Sequence, residues 1–377
     1  MRAQTARMRG VLLVSLIVGS ACVTPQPTLR PVTGDDVTIF VHGYRGSFLA
    51  TEDGELAYIT VAQGLSTGDR SLALPFEGQR QFAKYGSLHT TGPITRLVAI
   101  PLLFEVDAYA SFMDWAKDAL PGFTVFAYDW RRDIRDSSKE LCALIEKQGP
   151  GRRVRLVAHS MGGLVTLHCL RTGGDAVKNV TAVVFAGTPF RGAAGAWDDL
   201  HLGTPNQSNT HLIDREALLT FSSSWELLPA APDFFVDAKG AEAIVPAYAP
   251  ATWQVRKWGL FAEPALPGAY VEELRARVDA HDAFWAALRE AEKAPAPPWK
   301  TMIVVGRGRQ TVSGFTVTAD GGFDFDHPVL SDGDGTVTSA SARTPLPLKA
   351  TVIETTAEHT EMLRRSEVQS VIADFLR

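Results

Sequence analysis

Ser160 stands where a β-branched run gives way to a helix-forming one, in Ala158-His159-Ser160-Met161-Gly162, with small residues two places before and after it. This spacing belongs to a tight strand–turn–helix elbow, which exposes the hydroxyl at the carboxyl edge of a sheet while small flanks let strand and helix approach. The chemistry on offer is acyl transfer by a nucleophilic serine, which needs a base to take its proton and a carboxylate to orient that base. Around such elbows the acid and then the histidine follow the serine along the chain. Of nine histidines, His359 alone follows a late strand and precedes the final helix, so it is the expected base. His281 shares an apolar helix face with Val271, Leu274, Val278 and Trp285 and is expected to pack, and His327 precedes the acids.

The acid is sought in Ser331-Asp332-Gly333-Asp334-Gly335-Thr336-Val337. Asp334 is favoured, because Gly335 lets the chain swing away before Thr336 and Val337 resume an extended course; Asp332 is the rival. A calcium loop is the other use of such acids, but the third side-chain ligand, the glycine and the twelfth-position Glu of an EF-hand are missing. The oxyanion of acyl transfer needs preorganised N–H donors. Met161 N–H supplies one, and the turn His42-Gly43-Tyr44 should supply the second through Tyr44 N–H, with His42 a buried turn residue.

The elements that must hold these residues alternate. Residues 37–41, 123–128, 154–158 and 180–186 read as strands, and residues 105–120 and 161–171 as helices. Ser137-x-x-Glu140 reads as a capping box opening a helix that runs to about Lys147. Residues 46–95 read as mostly irregular. Alternation of this kind implies a largely parallel sheet covered on both faces, the α/β class. It breaks over residues 191–299, which hold six of the eight Trp, and resumes with strands at 302–305 and 352–355 and a helix at 361–376. The organisation expected is a core of residues 37–190 and 300–377, interrupted by an aromatic-rich insertion whose Trp residues pack rather than meet lipid.

With 45% hydrophobic residues among 377, wholesale disorder is excluded. A net charge of −5 without a basic stripe argues against nucleic acid as a partner. Arg2, Arg7 and Arg9 precede an apolar run at 11–18, shorter than the roughly 20 residues a spanning helix needs. Gly19-Ser20-Ala21-Cys22 follows and is similar to a bacterial lipoprotein cleavage box, apart from Gly19 where Leu is usual. Residues 1–22 are therefore expected to be an export leader and Cys22 a lipid-bearing anchor in the cell envelope. Plain cleavage near Ala21, releasing a periplasmic or secreted protein, is the alternative. Residues 23–36, rich in Pro and Thr, read as a tether. Cys142 and Cys169 are expected to be buried free thiols.

Taken together, the chain resembles the family of lecithin:cholesterol acyltransferase, lysosomal phospholipase and phospholipid:diacylglycerol acyltransferase, a branch of the α/β-hydrolases. The resemblance is carried by Tyr128-Asp129-Trp130-Arg131, the Ser160 elbow, Gly187-Thr188-Pro189-Phe190-Arg191-Gly192, Ser223-Ser224-Trp225-Glu226-Leu227-Leu228-Pro229, Gly333-Asp334-Gly335-Thr336-Val337 and His359. It departs at the first oxyanion turn, His-Gly rather than Pro-Gly, and lacks the Cys residues that staple the lid of the animal members. The resemblance implies Ser160, Asp334 and His359 as nucleophile, acid and base, and residues 191–299 as a cap and lid over an acyl pocket. The function expected is an exported serine lipid-ester hydrolase or O-acyltransferase, acting at a membrane or lipid interface through an acyl-enzyme on Ser160. The alternative is a non-catalytic envelope lipoprotein that uses the fold as a binding module. His201 and His211, with Asp198 and Asp199 near them, fit no compact ligand spacing, so neither a metal nor a cofactor is expected.

Overall fold

The computed structural model describes residues 36–60, 63, 70–100, 104–149, 151–204, 209–293, 297–343 and 349–377; the expected leader, Cys22 and the tether as far as residue 35 lie outside them. The chain enters through β1 (Asp36–Val41), whose apolar residues are buried, as a strand inside a covered parallel sheet requires. The next stretch, expected to be irregular, instead forms an antiparallel sheet of β2 (Ser47–Thr51), β3 (Leu56–Tyr58) and β4 (Leu88–Pro93). Register shifts in both of its pairings interrupt the alternation that would have marked these strands. A hairpin of β5 (Arg96–Ile100) and β6 (Phe104–Asp107) follows, so α1 (Ala110–Ala119) starts later than the expected helix.

After β7 (Phe123–Phe126), α2 (Ile134–Lys147) opens a turn before the expected capping box. Asp133 is the cap, accepting from Arg135 N–H at 2.7 Å, and Glu226 accepts from Ile134 N–H at 2.7 Å. With two orphan donors satisfied there, Ser137 is left inside the helix and buried. β8 (Arg153–His159), α3 (Met161–Thr172) and β9 (Val180–Ala186) lie where the alternation placed them.

The insertion contributes α4 (Ala196–Leu202), α5 (Arg215–Thr220), α6 (Ser222–Glu226), β10 (Phe235–Val236), α7 (Pro250–Arg256) and α8 (Ala269–Glu292). Trp197, Trp225, Trp253, Trp258 and Trp285 are all buried, and Trp197 meets Trp253 edge-on at 5.2 Å. They pack as core, as expected. The return strand β11 (Lys300–Gly306) is followed by a long hairpin, β12 (Arg309–Val317) and β13 (Phe323–Gly333), which pairs through β12 with β10 of the insertion. β14 (Ala350–Thr355) leads into a 3₁₀ turn over His359–Arg364 and then α9 (Ser366–Leu376).

The central sheet runs β14-β11-β9-β8-β1-β7, every neighbouring pair parallel. Its α/β class agrees with the alternation. Cys142 on α2 and Cys169 on α3 corrects another expectation: their Cα atoms stand 5.6 Å apart and the two are joined as a disulfide. The residues lie on facing sides of adjacent helices, within bridging distance, a relationship that their spacing in the sequence does not display.

Candidate active site

Ser160 follows the last residue of β8 and precedes the first of α3. Its backbone takes φ 54° and ψ −130°, a left-handed turn unusual for a residue with a Cβ. Ser160 N–H donates to Ala186 O of the neighbouring strand at 2.9 Å, tying the turn to the sheet edge. Met161, as the first residue of α3, has an N–H beyond the reach of the helix's own carbonyls.

The turn after β1 lies beside this elbow, and a Cβ at Gly43 would come within 2.8 Å of Ser160 Cβ. Gly43 N–H donates to Tyr109 Oη at 3.0 Å, whereas Tyr44 N–H has no acceptor among the described residues. His42 is fully buried: its Nδ1 donates to Gly43 O at 2.8 Å, its Nε2 accepts from Tyr128 N–H at 3.3 Å, and its ring stacks on Tyr128 at 4.3 Å. Burial pushes its pKa down to about 4, so it is a neutral strut.

Asp334 and His359 come from the loops after β13 and β14. His359 Nδ1 lies 2.7 Å from Asp334 Oδ2, and His359 N–H donates to Asp334 O at 3.0 Å. The other carboxylate oxygen accepts from Thr336 N–H at 2.9 Å and Val337 N–H at 2.7 Å, so Asp334, 1% exposed, is fully engaged. Burial opposes its charge, but the hydrogen bond and charge of His359, with those two N–H donors, outweigh it and hold the carboxyl below its usual range. A carboxylate accepting from Nδ1–H fixes the neutral imidazole with Nε2 as its proton acceptor. Asp332, the rival, points elsewhere: it accepts from Gly308 N–H and pairs with Arg307 at 3.0 Å.

Gly187 is a site residue that its motif alone does not reveal. It has φ 57°, and a Cβ there would stand 3.0 Å from His359 Nδ1 and 3.2 Å from Asp334 Oδ2. Only glycine fits at that approach. The other motifs knit the turn to the insertion. Tyr44 Oη meets Ser224 Oγ at 2.8 Å, Ser223 Oγ donates to Trp130 O at 2.6 Å, and Arg131 holds Asp129 at 2.7 Å.

The other histidines are placed apart. His281 is buried against Pro229 O, and His327 is exposed beside Asp324. His201 is buried against Trp197, its Nδ1 donating to Trp197 O at 2.7 Å. A charged cleft of about 630 Å³ between α2 and α8, lined by Arg132, Asp133, Arg135 and Arg277 among others, contains none of the candidate residues.

A parallel sheet with helices, a serine at a strained elbow, and an acid and histidine on later loops define an α/β-hydrolase. Residues 120–252, which include the elbow and the motifs at 187 and 223, match the model of the lecithin:cholesterol acyltransferase family, so the likeness carried by the motifs holds over that segment. A Saccharomyces cerevisiae protein, YJR098C, is 26% identical over 213 residues, covering 53% of this chain; the match spans 30% of that relative's length. Among solved structures, a chain of the Tle4-Tli4 complex is similar at a TM-score of 0.55 and 14% identity, over 90% of this chain and 98% of that one. The mature form of Bacillus licheniformis lipase BlEst2 is similar at a TM-score of 0.40 and 15% identity, over 93% and 95%.

Proposed function

We propose that the protein is a serine lipid-ester hydrolase or O-acyltransferase working through an acyl-enzyme on Ser160. The observation that carries this reading is the 2.7 Å Asp334–His359 bond at the same sheet edge as the Ser160 elbow, and the family match supports it. Ser160 Oγ attacks the ester carbonyl while His359 Nε2 takes its proton, and Asp334 steadies the imidazolium. The oxyanion is met by Met161 N–H and Tyr44 N–H. Collapse of the tetrahedral adduct expels the alcohol, which leaves with the proton from His359. Water or a second alcohol then attacks the acyl-enzyme, giving its proton to His359, which returns it to Ser160 Oγ.

Export is part of the proposal. Arg2, Arg7 and Arg9 before the apolar run at 11–18, the Gly19-Ser20-Ala21-Cys22 sequence and the Cys142–Cys169 disulfide support it, since disulfides persist mainly in oxidising compartments. Radiolabelled palmitate entering the wild-type protein but not Cys22→Ser would support anchoring at that residue; an unlabelled, unmodified mature N-terminus would favour plain secretion.

Activity is tested with purified protein on vesicles of phospholipid and neutral ester, with and without a sterol or diacylglycerol acceptor. Free fatty acid or a new ester, absent with Ser160→Ala, is expected. No product from a folded wild-type protein that also resists fluorophosphonates would favour the binding-module reading.

A further inference from the structure

Two buried polar side chains lie between the oxyanion turn and the base without a part in the chemistry above. Tyr109 precedes α1, and His159 is the last residue of β8. Gly43 N–H donates to Tyr109 Oη at 3.0 Å, Tyr109 Oη lies 2.8 Å from His159 Nδ1, and His159 Nε2 lies 2.9 Å from His359 O. The protons have one consistent placement. Tyr109 Oη accepts from Gly43, so its single proton goes to His159 Nδ1; the neutral ring then carries its own proton on Nε2, which donates to His359 O.

The donors therefore run in one direction, from Gly43 through Tyr109 and His159 to His359. Burial keeps the chain neutral: it pushes His159, 5% exposed, down to about 3, helped by His359, and raises the Tyr109 phenol. The fit is close, since a Cβ at Gly43 would stand 3.3 Å from both Tyr109 Oη and His159 Nδ1.

Resting on the catalytic reading above, we propose that Tyr109 and His159 are positioning residues, a hydrogen-bonded strap that holds the oxyanion turn and the base loop in register across Ser160. At one end the strap occupies Gly43 N–H and leaves Tyr44 N–H to face the oxyanion. At the other it fixes the carbonyl of His359, whose N–H and Nδ1 are already held by Asp334. Without it, His359 is anchored from one side only. Small displacements of reacting groups are expensive: a shift of about 1 Å costs on the order of 100-fold in rate.

The test uses a short soluble ester. Tyr109→Phe keeps the ring that packs edge-on against Phe40 at 5.0 Å and removes only the hydroxyl. It should lower kcat about 10- to 100-fold with KM within about twofold and little change in Tm. His159→Gln, which retains a donor for His359 O, should keep more kcat than His159→Leu. The double variant Tyr109→Phe/His159→Leu should be about as slow as the slower single, because both cut one strap. Tyr109→Phe that folds and turns over like wild type, or losses that multiply in the double variant, would overturn the proposal. If Tyr109→Phe fails to fold, the His159→Gln and His159→Leu ranking decides: equal kcat for the two overturns it. Wild-type protein without turnover or fluorophosphonate labelling would fail the catalytic reading itself, a result distinct from any of these.

Discussion

Asp334 Oδ2 faces His359 Nδ1 at 2.7 Å, whereas Asp332, two residues earlier, is turned outward to Arg307 and Gly308. Both aspartates are followed by glycine, but only the second stands where the chain leaves β13 and crosses toward β14. Gly335, with φ 93°, makes the turn that brings Thr336 and Val337 N–H back onto the carboxylate.

Replacing the two acids separately should therefore give unequal results. Asp334→Asn should lower kcat by about 10⁴, as loss of the imidazole-orienting carboxylate does in serine hydrolases. Asp332→Asn removes only surface contacts and should cost tenfold or less, on the order expected for a residue outside the reacting groups. Steady-state kinetics on folded variants checks this, and the reverse ranking would move the acid to Asp332.

Four buried histidines should make the fold lose stability in mild acid. Burial holds His42, His168 and His201 at about 4 and His159 at about 3, against an ordinary 6.5. Between those values the unfolded chain binds protons that the folded chain refuses, so stability is full above about pH 6.5 and falls as pH falls. Alone, four such groups would give a slope of about 5 kcal/mol per pH unit near pH 5. Buried Asp198, raised to about 6, and Glu226, raised well above its usual range, act in the opposite sense because the folded chain takes up their protons first, so the net slope is smaller. Urea unfolding across that range measures it, and His42→Gln should lower the slope by about 1 kcal/mol per pH unit, one histidine's share. A His42→Gln variant whose stability follows pH as the wild type's does would contradict the buried neutral assignment of His42.

The disulfide between α2 and α3 closes a loop over a sequence separation of 27. Loop-closure entropy puts its contribution at about 3.5 kcal/mol. The pair Cys142→Ala and Cys169→Ala should lose roughly that much in chemical unfolding and retain activity at 25 °C, since neither residue approaches Ser160, Asp334 or His359 in sequence or by hydrogen bond. Equal unfolding midpoints for the oxidised and reduced wild-type protein would show that the bridge contributes nothing.

Much of this arrangement is legible in the sequence, for identifiable reasons. β9 reads cleanly because a β-branched run is bounded by a 3₁₀ turn and by Gly187. The elbow reads because its small flanks have a steric cause. The start of α2 does not, because Asp133 and Ser137 are both able caps and the choice between them is made by Glu226, 92 residues away. Likewise Tyr109 and His159 are 50 residues apart, and neither carries a local signature of its hydrogen bond. Residues whose roles depend on partners brought together by the sheet stay hidden until the sheet is built.

The central claim is that Ser160 is the nucleophile, and covalent capture tests it most directly. Wild-type protein treated with a fluorophosphonate and analysed by intact mass and peptide mapping should carry one adduct, on Ser160, with turnover lost in proportion. Folded Ser160→Ala should carry none and hydrolyse no ester. An adduct on another residue, or ester turnover retained by Ser160→Ala, would contradict the account.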